Sequence, residues 1–252
     1  MSFEVSAEAY DAFMGRYSRP LAARFLEWSG VAAGMRALDV GAGTGAATTR
    51  LVTLLGASQV SAVEPSAPFA VALRNRFPDV DVQVAGAERL PYPDGLFDVA
   101  VSQLVVSFMR DPVGGVREMA RVTRPGGTVS VCVWDLAGDS GPLSTFWQAA
   151  HDLDNGVAGE RDVVGGREGD LADVCHRAGL AHVEGGSVTV TVSMDGFEDW
   201  WTPYTLGVGP AGDHVASLDP DTREVLRRHC SGLLPDGPFD VSATAWCARG
   251  QA

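Results

Sequence analysis

The chain contains, close to its start, the stretch Ala37-Leu38-Asp39-Val40-Gly41-Ala42-Gly43-Thr44-Gly45. Its first four residues are typical of a short buried strand, and three glycines follow at alternate positions. The next stretch, 46–55, favours a helix. Glycine lets a backbone come close to a ligand, and helix N–H groups can point at that ligand. This strand–turn–helix pattern therefore indicates a binding turn of the nucleotide type.

Strand and helix signals alternate along the first two-thirds of the chain. The predicted strands are 36–40, 59–63, 81–84, 97–102, 127–134, 182–193 and 239–247. The predicted helices between the first five are 46–55, 66–77 and 112–122, and later helices are expected at 144–153, 171–178, 197–201 and 219–230. Such alternation predicts an α/β fold of the Rossmann-like, doubly wound type, with a mostly parallel seven-stranded sheet and helices on both faces.

We expect one domain over residues 1–252, because no linker or repeat divides the pattern. An N-terminal helical cap or lid is expected at 1–34, before the first strand, and a cofactor-binding core at 35–135. Glycine- and acid-rich sequence predicts an insertion or lid at 136–170. The part 171–252 would complete the sheet and contain a helical excursion at 195–232.

The charge of the chain argues against nucleic acid as a partner. Asp and Glu total 32 against 19 Lys and Arg, which gives a net charge of −13. Binding to a phosphate backbone rests on clustered cations. The sequence has no apolar run of the ~20 residues that a membrane-spanning helix needs and no basic, signal-like start. We therefore expect a cytoplasmic protein that binds neither nucleic acid nor membrane.

Several classes of chemistry are excluded by residue types. All 19 basic side chains are arginine, so a Schiff-base lysine, a pyridoxal-phosphate anchor and a P-loop lysine are impossible. The four cysteines are scattered without a Cys-x-x-Cys pair and are expected to be reduced and buried. The histidines show no metal-ligand spacing, and few acids follow the fourth and fifth strands. No metal site is expected.

Glu64 ends the second predicted strand, 21 residues after Gly43. An acid at this place in a doubly wound sheet can accept both ribose hydroxyls of a nucleotide. We expect it to face solvent at the end of the strand when no ligand is bound. The alternative is an N-cap acid for the helix that starts near Ser66. Further along, 85–92 follows the third strand and is placed to frame an adenine ring.

With these motifs in order, the sequence resembles the class I S-adenosylmethionine-dependent methyltransferases, in particular the ubiquinone-biosynthesis-like group that methylates small molecules. The resemblance covers Ala37–Trp134. Segments 10–19 and 241–250 resemble an uncharacterised bacterial subgroup more closely. The resemblance implies S-adenosylmethionine as cofactor and a small-molecule acceptor, in a monomer or homodimer.

The resemblance also implies roles for individual residues. Asp39 would orient the amino end of the methionine moiety, and Glu64 would hold the ribose with Pro65 and Ser66 beside it. The turn beneath the methionine moiety would be Gly41, Ala42, Gly43 and Thr44. The adenine would be bordered by Gly86, Ala87 and Glu88, and the sulfonium and methyl group would lie near Ser102 and Gln103. The group usually has an acid where this chain has Gly86, which leaves Glu88 or water as the adenine partner.

The N-terminal segment 10–19 is expected to fold over the cofactor as a lid. The segment would contribute Tyr10 to the cofactor-binding site, and its Arg16 would be available to bind the cofactor carboxylate. The aromatic residues of 10–17 and 134–147, together with the overall acidity, suggest a small, neutral or cationic, partly apolar substrate.

The predicted reaction is an in-line transfer of a methyl group from the sulfonium, catalysed mainly by alignment and desolvation. No catalytic side chain is assigned, although Asp135 and His151 are candidates for a base. One alternative is a non-catalytic binding or regulatory protein that keeps the cofactor fold. Another is a nicotinamide-dependent oxidoreductase, because Gly41-x-Gly43-x-x-Ala46 also fits the dinucleotide pattern.

Overall fold

A computed structural model describes residues 7–252 of the chain, with side chains from residue 9 onward. The first six residues of the predicted cap lie outside the described residues. Seven strands form one sheet in the order β3-β2-β1-β4-β5-β7-β6. The strands are β1 (Ala37–Val40), β2 (Val60–Val63), β3 (Asp81–Gln83), β4 (Phe97–Gln103), β5 (Thr123–Trp134), β6 (Ala181–Met194) and β7 (Phe239–Gln251).

The sheet is parallel from β3 to β5, and β7 runs antiparallel between β5 and β6. Ala37 pairs with Val60 of β2 on one side and with Val99 of β4 on the other. The strand order therefore changes direction at β1, and ligands bind in such sheets at the carboxyl ends of the strands beside this switch point. The predicted fold class is confirmed.

Both faces of the central strands are buried, which explains their nearly continuous apolar sequence. Leu38 and Val40 pack into the hydrophobic core on one face, and Ala37 packs into the core on the other. The outer strand β6 differs, because Val188 and Val190 are buried while Thr189 between them is exposed. Its clean alternation in the sequence reflects this one-sided burial.

Ten helices accompany the sheet in the described part of the chain. They are α1 (Ala7–Tyr10), α2 (Arg16–Trp28), α3 (Ala46–Leu55), α4 (Ala67–Arg76), α5 (Pro112–Val122), α6 (Ser144–Leu153), α7 (Asp170–Ala178), α8 (Phe197–Trp201), α9 (Gly209–Ser217) and α10 (Pro220–Leu233). Four of them, α3, α5, α6 and α8, begin and end where the sequence predicts. No described helix is long and apolar enough to cross a membrane.

Several observed elements differ from the predicted ones. Helix α9 was not predicted, because its start, Gly-Pro-Ala-Gly, is typical of a turn. A π-helical turn, Asp11–Gly15, joins α1 to α2. Strand β5 begins at Thr123, four residues before the predicted start, with an irregular pairing to β4 that accommodates the glycines of the turn.

The N-terminal segment and the helical excursion between β6 and β7 pack on each other through aromatic side chains. The ring of Tyr204 lies 4.9 Å from that of Phe13 and 4.6 Å from that of Phe146 in α6. The Trp200 ring lies 4.8 Å from Tyr204. Three distant segments thereby form one apolar layer, and residues from each of them line a cavity at the carboxyl ends of β4 and β5.

Candidate functional site

The glycine turn after β1 is fixed to the end of β2 by its own amides. The N–H groups of Gly41 and Ala42 both donate to the carbonyl oxygen of Val63, at 2.8 and 3.0 Å. Gly41 has a φ of +74°, and a Cβ atom there would lie 2.5 Å from the side chain of Val105. Because these amides are used within the protein, the turn presents its shape to a ligand rather than these N–H groups.

The carboxylate of Glu64 bridges the turn and the start of α4. Its Oε2 accepts a hydrogen bond from the N–H of Gly43, and its Oε1 accepts one from the N–H of Ser66, both at 2.8 Å. Only 6% of Glu64 is exposed, so the expectation of a solvent-facing carboxylate was wrong. Burial raises the pKa of this carboxyl, and the two amides offset part of the shift.

These two hydrogen bonds leave further acceptor positions of the Glu64 carboxylate available. A carboxylate has about four acceptor positions, and two backbone amides occupy two of them. Glu64 also lines the open cleft beside Gly43, where no atom of the described residues lies within 4 Å of a Cβ built on that glycine. A ligand with two hydroxyl groups therefore has both the space and the acceptors it needs here.

Asp39 is a buried acid at the floor of the same cleft. Its Oδ2 accepts a hydrogen bond of 2.6 Å from Thr48 Oγ1 in α3, and 1% of the residue is exposed. Burial raises the pKa of Asp39 to about 6, the bonds from Thr48 oppose this, and the nearby Glu64 adds to it. Among the described residues no cation pairs with this buried carboxylate, so a cationic group on a ligand would compensate for its burial.

The cleft runs along the carboxyl ends of β1, β2 and β4 and encloses about 910 Å³ of empty space, part of it open to solvent. We call it the central cleft. Of the predicted site residues it brings together Tyr10, Asp39, Gly41, Ala42, Gly43, Thr44, Glu64, Pro65 and Gln103. A second lobe shares Gly41, Pro65, Val105 and Phe108 with it and adds Gly86, Ala87 and Glu88.

Ser102 and Gln103, at the end of β4, were both predicted to lie near the sulfonium, but their side chains point in different directions. Ser102 is fully buried and its hydroxyl donates to the carbonyl oxygen of Val40, so the structure does not bring it to the cleft. The alternation of side chains along a strand explains this, because Gln103 then faces the cleft. Gln103 donates to the carbonyl oxygen of Ser18, and its buried Oε1 has no partner among the residues that the structure describes.

In the second lobe, Glu88 stands beside the glycine that replaces the usual acid. A Cβ on Gly86 would lie 3.1 Å from Glu88 Oε2. The other carboxylate oxygen, Oε1, accepts a hydrogen bond from the N–H of Arg110 at 2.9 Å. Glu88 therefore holds a carboxylate oxygen close to the place where an acid at position 86 would have put one. Ser66, by contrast, contributes its N–H to Glu64 and does not line either lobe.

The N-terminal segment is attached to the glycine turn by Asp11. Its Oδ1 accepts a hydrogen bond of 2.6 Å from the hydroxyl of Thr44, and its Oδ2 pairs with Arg19 at 2.5 Å. Tyr10, next to it, lines the cleft, and its pKa is raised to about 12 by burial and by the nearby Asp11 and Glu64.

Arg16 does not reach the central cleft, which corrects its predicted role. Its guanidinium pairs with the carboxylate of Asp199 in α8 at 2.9 Å and also contacts the backbone oxygen of that residue and the sulfur of Met194. The residue fixes α2 to the helical excursion.

A second, mostly apolar cavity opens beside the central cleft. It encloses about 630 Å³ of empty space, including its mouth, and shares Tyr10, Leu104 and Phe108 with the cleft. Leu104 has a φ of +64°, and a non-glycine residue held in this strained region is often found at a functional site. We call this space the apolar cavity and these three residues the junction.

The sequence analysis anticipated part of the apolar cavity. Phe13, Met14, Trp134 and Leu143 lie within the two aromatic stretches from which an apolar substrate was inferred. The wall from Val208 to Ala211 and Glu160 were missed. They lie in glycine-rich sequence without periodicity, so no local signal distinguishes them.

Neither candidate base faces the cleft or the apolar cavity. The carboxylate of Asp135 accepts hydrogen bonds from the N–H of Gly138 and from Ser140 and Trp246, and it stabilises the loop after β5. His151 contacts the backbone oxygen of Val157. Within residues 7–252, no group of three or more His, Cys, Asp or Glu side chains is arranged to hold a metal ion.

Comparisons with known proteins agree with this architecture. Residues 38–131, less than half of the chain, match a methyltransferase domain family. An uncharacterised methyltransferase of Mycobacterium tuberculosis is 36% identical over 135 residues, which cover 54% of this chain and 52% of the relative. A demethylmenaquinone methyltransferase of Mycolicibacterium gilvum is 41% identical over 114 residues, 45% of this chain and 47% of the relative. The chain spans about half the length of these curated relatives.

Among solved structures, a phosphoethanolamine N-methyltransferase of Haemonchus contortus, in complex with phosphomonomethylethanolamine and S-adenosylhomocysteine, has the same fold. Its TM-score is 0.57 at 16% identity, over 97% of this chain and 56% of that one. Residues 38–131 thus match a methyltransferase domain family, and the solved structure agrees with the fold alone.

Proposed function

We propose that the protein transfers a methyl group from S-adenosylmethionine to a small-molecule acceptor. The observation that carries this proposal is the central cleft, where Asp39 and Glu64 stand on either side of the glycine turn. The buried carboxylate of Asp39 matches the ammonium group of the cofactor's methionine part. The carboxylate of Glu64 matches the two hydroxyl groups of its ribose. The methyltransferase domain and the relatives described above support the same assignment.

The residues present fit the cofactor along its length. Gln103 lines the cleft together with Asp39 and the junction residue Leu104, and its buried Oε1 has no partner among the described residues. Glu88 offers a carboxylate oxygen in the second lobe for the adenine amine, in place of the acid that Gly86 lacks. When bound, the cofactor supplies an activated methyl group on sulfur. The chain's own residues hold it, align it with the junction and exclude water.

The first test of this proposal is binding, with a direct comparison of cofactors. S-adenosylhomocysteine at millimolar concentration is expected to raise the melting temperature, because a ligand that binds only the folded state stabilises it. NAD(H) at the same concentration is expected to leave it unchanged. A shift with NAD(H) and none with S-adenosylhomocysteine would instead favour the oxidoreductase.

Catalysis is tested separately from binding. Methyl-labelled S-adenosylmethionine and a mixed library of small acceptors are expected to give a labelled product and S-adenosylhomocysteine in equal amounts. Binding without transfer to any acceptor would favour the non-catalytic alternative.

The N-terminal segment is proposed to be a lid that Asp11 fastens to the glycine turn. Asp11→Ala is expected to weaken the binding of S-adenosylhomocysteine about fivefold, since one hydrogen bond contributes about 1 kcal/mol. It should also speed tryptic cleavage after Arg16. Arg19→Gln is the control, because it removes the exposed ion pair and keeps the bond to Thr44. Calorimetry and limited proteolysis give both readouts.

Equal effects of the two substitutions, or no effect of Asp11→Ala, would show that the segment is ordinary packing. Deleting residues 1–19 would be a poorer test of the lid than these substitutions. Phe13 and Tyr17 are each 3% exposed and belong to the hydrophobic core, so the deletion would also disturb the fold.

A further inference from the structure

The apolar cavity contains one charged side chain, Glu160, that the proposed reaction does not use. The other described residues that line the cavity are apolar, apart from the hydroxyl groups of Tyr10 and Ser107 and the indole N–H of Trp134, which has no hydrogen-bond partner among the described residues. No arginine or histidine is among these described lining residues. The cavity therefore has a mostly apolar wall, and Glu160 is the one charged side chain among the described residues that line it.

Glu160 is held in place by a buried indole. Trp147 Nε1 donates to Glu160 Oε2 at 3.0 Å, and Trp147 is 6% exposed in α6, stacked edge-on against Phe146. The described structure gives Oε1 of Glu160 no hydrogen-bond partner. The next residue, Arg161, pairs with Asp139 rather than with Glu160. The carboxylate is thus fixed in position and keeps one oxygen available.

A carboxylate in such a position selects among ligands by simple chemistry. It accepts hydrogen bonds and donates none, so it requires a hydroxyl or amine on the ligand. In apolar surroundings an oxygen without a partner is unfavourable, and a ligand that donates to it removes that cost. A second negative charge brought into the same space is repelled, and no cation in the wall compensates for it.

We propose that the methyl acceptor is a largely apolar molecule with one hydroxyl or amine group that donates a hydrogen bond to Glu160, and that carboxylates and phosphates are rejected. This inference rests on the proposed function. Glu160 lines the apolar cavity and is not a junction residue, so it anchors the acceptor while the reacting atom lies at the junction. The role of Glu160 is to determine specificity by positioning the acceptor.

The test uses three probes with one ring system, in the presence of saturating S-adenosylhomocysteine: 2-naphthol, 2-naphthylmethylamine and 2-naphthoate. The wild-type protein is expected to bind the alcohol and the amine at least about tenfold more tightly than the carboxylate, as measured by calorimetry. Glu160→Gln keeps the shape and removes the charge, and this preference should fall below about threefold. Glu168→Gln, an exposed glutamate outside the cavity, is the matched control and should keep the wild-type preference.

Equal affinity for 2-naphthoate in the wild type, no binding of any probe, or an unchanged preference in Glu160→Gln would each overturn the proposal. The titration is repeated without S-adenosylhomocysteine, whose own affinity is measured first. Failure of S-adenosylhomocysteine to bind would count against the proposed function. The preference among the naphthyl probes is a property of the cavity wall and is read independently of that result.

Discussion

Glu64→Ala is expected to weaken the binding of S-adenosylhomocysteine by about a hundredfold or more and to lower the free energy of unfolding by about 2 kcal/mol. Under the proposed function, Glu64 would accept two charge-assisted hydrogen bonds from the ribose hydroxyls, each contributing roughly 1.5–3 kcal/mol, and this variant would lose both. The loss of stability follows from the amides of Gly43 and Ser66, which lose their acceptor. Calorimetry and urea denaturation of the same preparation measure the two effects.

Glu64→Gln keeps the shape of the side chain and removes its charge, so it separates the two contributions to affinity and stability. It is expected to cost about tenfold in affinity, because one acceptor remains for the ribose. Stability should fall by less than in the alanine variant, since one amide keeps an oxygen partner while the other meets the new NH₂ group.

Asp219→Ala is the control for the structural part of this effect. Asp219 also accepts two backbone N–H bonds, from Asp221 and Thr222 at the start of α10, and it does not line the cleft or the apolar cavity. This variant should lose stability, as expected when a helix cap is removed, and keep its affinity. If Glu64→Ala behaves in the same way, Glu64 is purely structural and the ribose is held elsewhere.

Asp39→Asn is expected to stabilise the protein at pH 7.5 while weakening the binding of S-adenosylhomocysteine about 10- to 100-fold. The native pKa of Asp39 is about 6, against 3.8 for an ordinary aspartate. The folded state therefore binds the proton more tightly than the unfolded state, and ionising this buried group opposes folding. Relief of that penalty should add about 1–2 kcal/mol, less than the full shift, because the new amide lacks a partner.

The sign of the effect fixes its pH dependence. Below pH 3.8 both states carry the proton and the penalty is absent. Between pH 3.8 and about 6 the folded state still holds a proton that the unfolded state has lost, so the penalty grows as the pH rises through this range. Above about pH 6 the penalty is constant. The stability of the wild type relative to Asp39→Asn should therefore fall across this window in urea denaturation and then level off.

Asp98→Asn is a control in which the pH dependence of stability is expected to have the opposite sign. The ion pair with Arg124 and the bond from the N–H of Arg36 lower the pKa of Asp98, so its ionised form favours folding. The advantage of the wild type over this variant should be present above the ordinary pKa of aspartate and be lost as the pH falls below it. A flat difference between wild type and Asp39→Asn from pH 4 to 7 would contradict the assignment of Asp39.

The affinity for S-adenosylhomocysteine should also depend on pH, because it depends on the ionisation of Asp39. An ammonium group beside Asp39 favours the ionised carboxylate, so the affinity for S-adenosylhomocysteine is expected to fall as the pH drops below about 6. Asp39→Asn should remove this dependence. Calorimetry at pH 5 and pH 7.5 on both proteins measures it.

The parts of the site that the sequence predicted are those set by local structure. The turn after β1, the acid within that strand and the position of Glu64 follow from strand–turn–helix spacing, which needs no knowledge of distant contacts. Gln103 and Ser102 show the limit of this reasoning, because both lie at the correct strand end and only the direction of each side chain separates them.

Contacts over long sequence distances could not be predicted. Arg16 pairs with Asp199, 183 residues further along the chain, and no pattern near Arg16 reveals that its charge is already used. The apolar cavity combines the N-terminal segment, two strand ends and two insertions. Glu160 belongs to an irregular stretch whose position depends on packing against α6.

A crystal structure with S-adenosylhomocysteine tests the central claim most directly. The account predicts both ribose hydroxyl oxygens within about 3.2 Å of the Glu64 carboxylate and the ligand's amino nitrogen within the same distance of Asp39. It also predicts the ligand's sulfur at the junction of Tyr10, Leu104 and Phe108, facing the apolar cavity. A ligand bound outside the central cleft, or one whose sulfur points away from that junction, would contradict it.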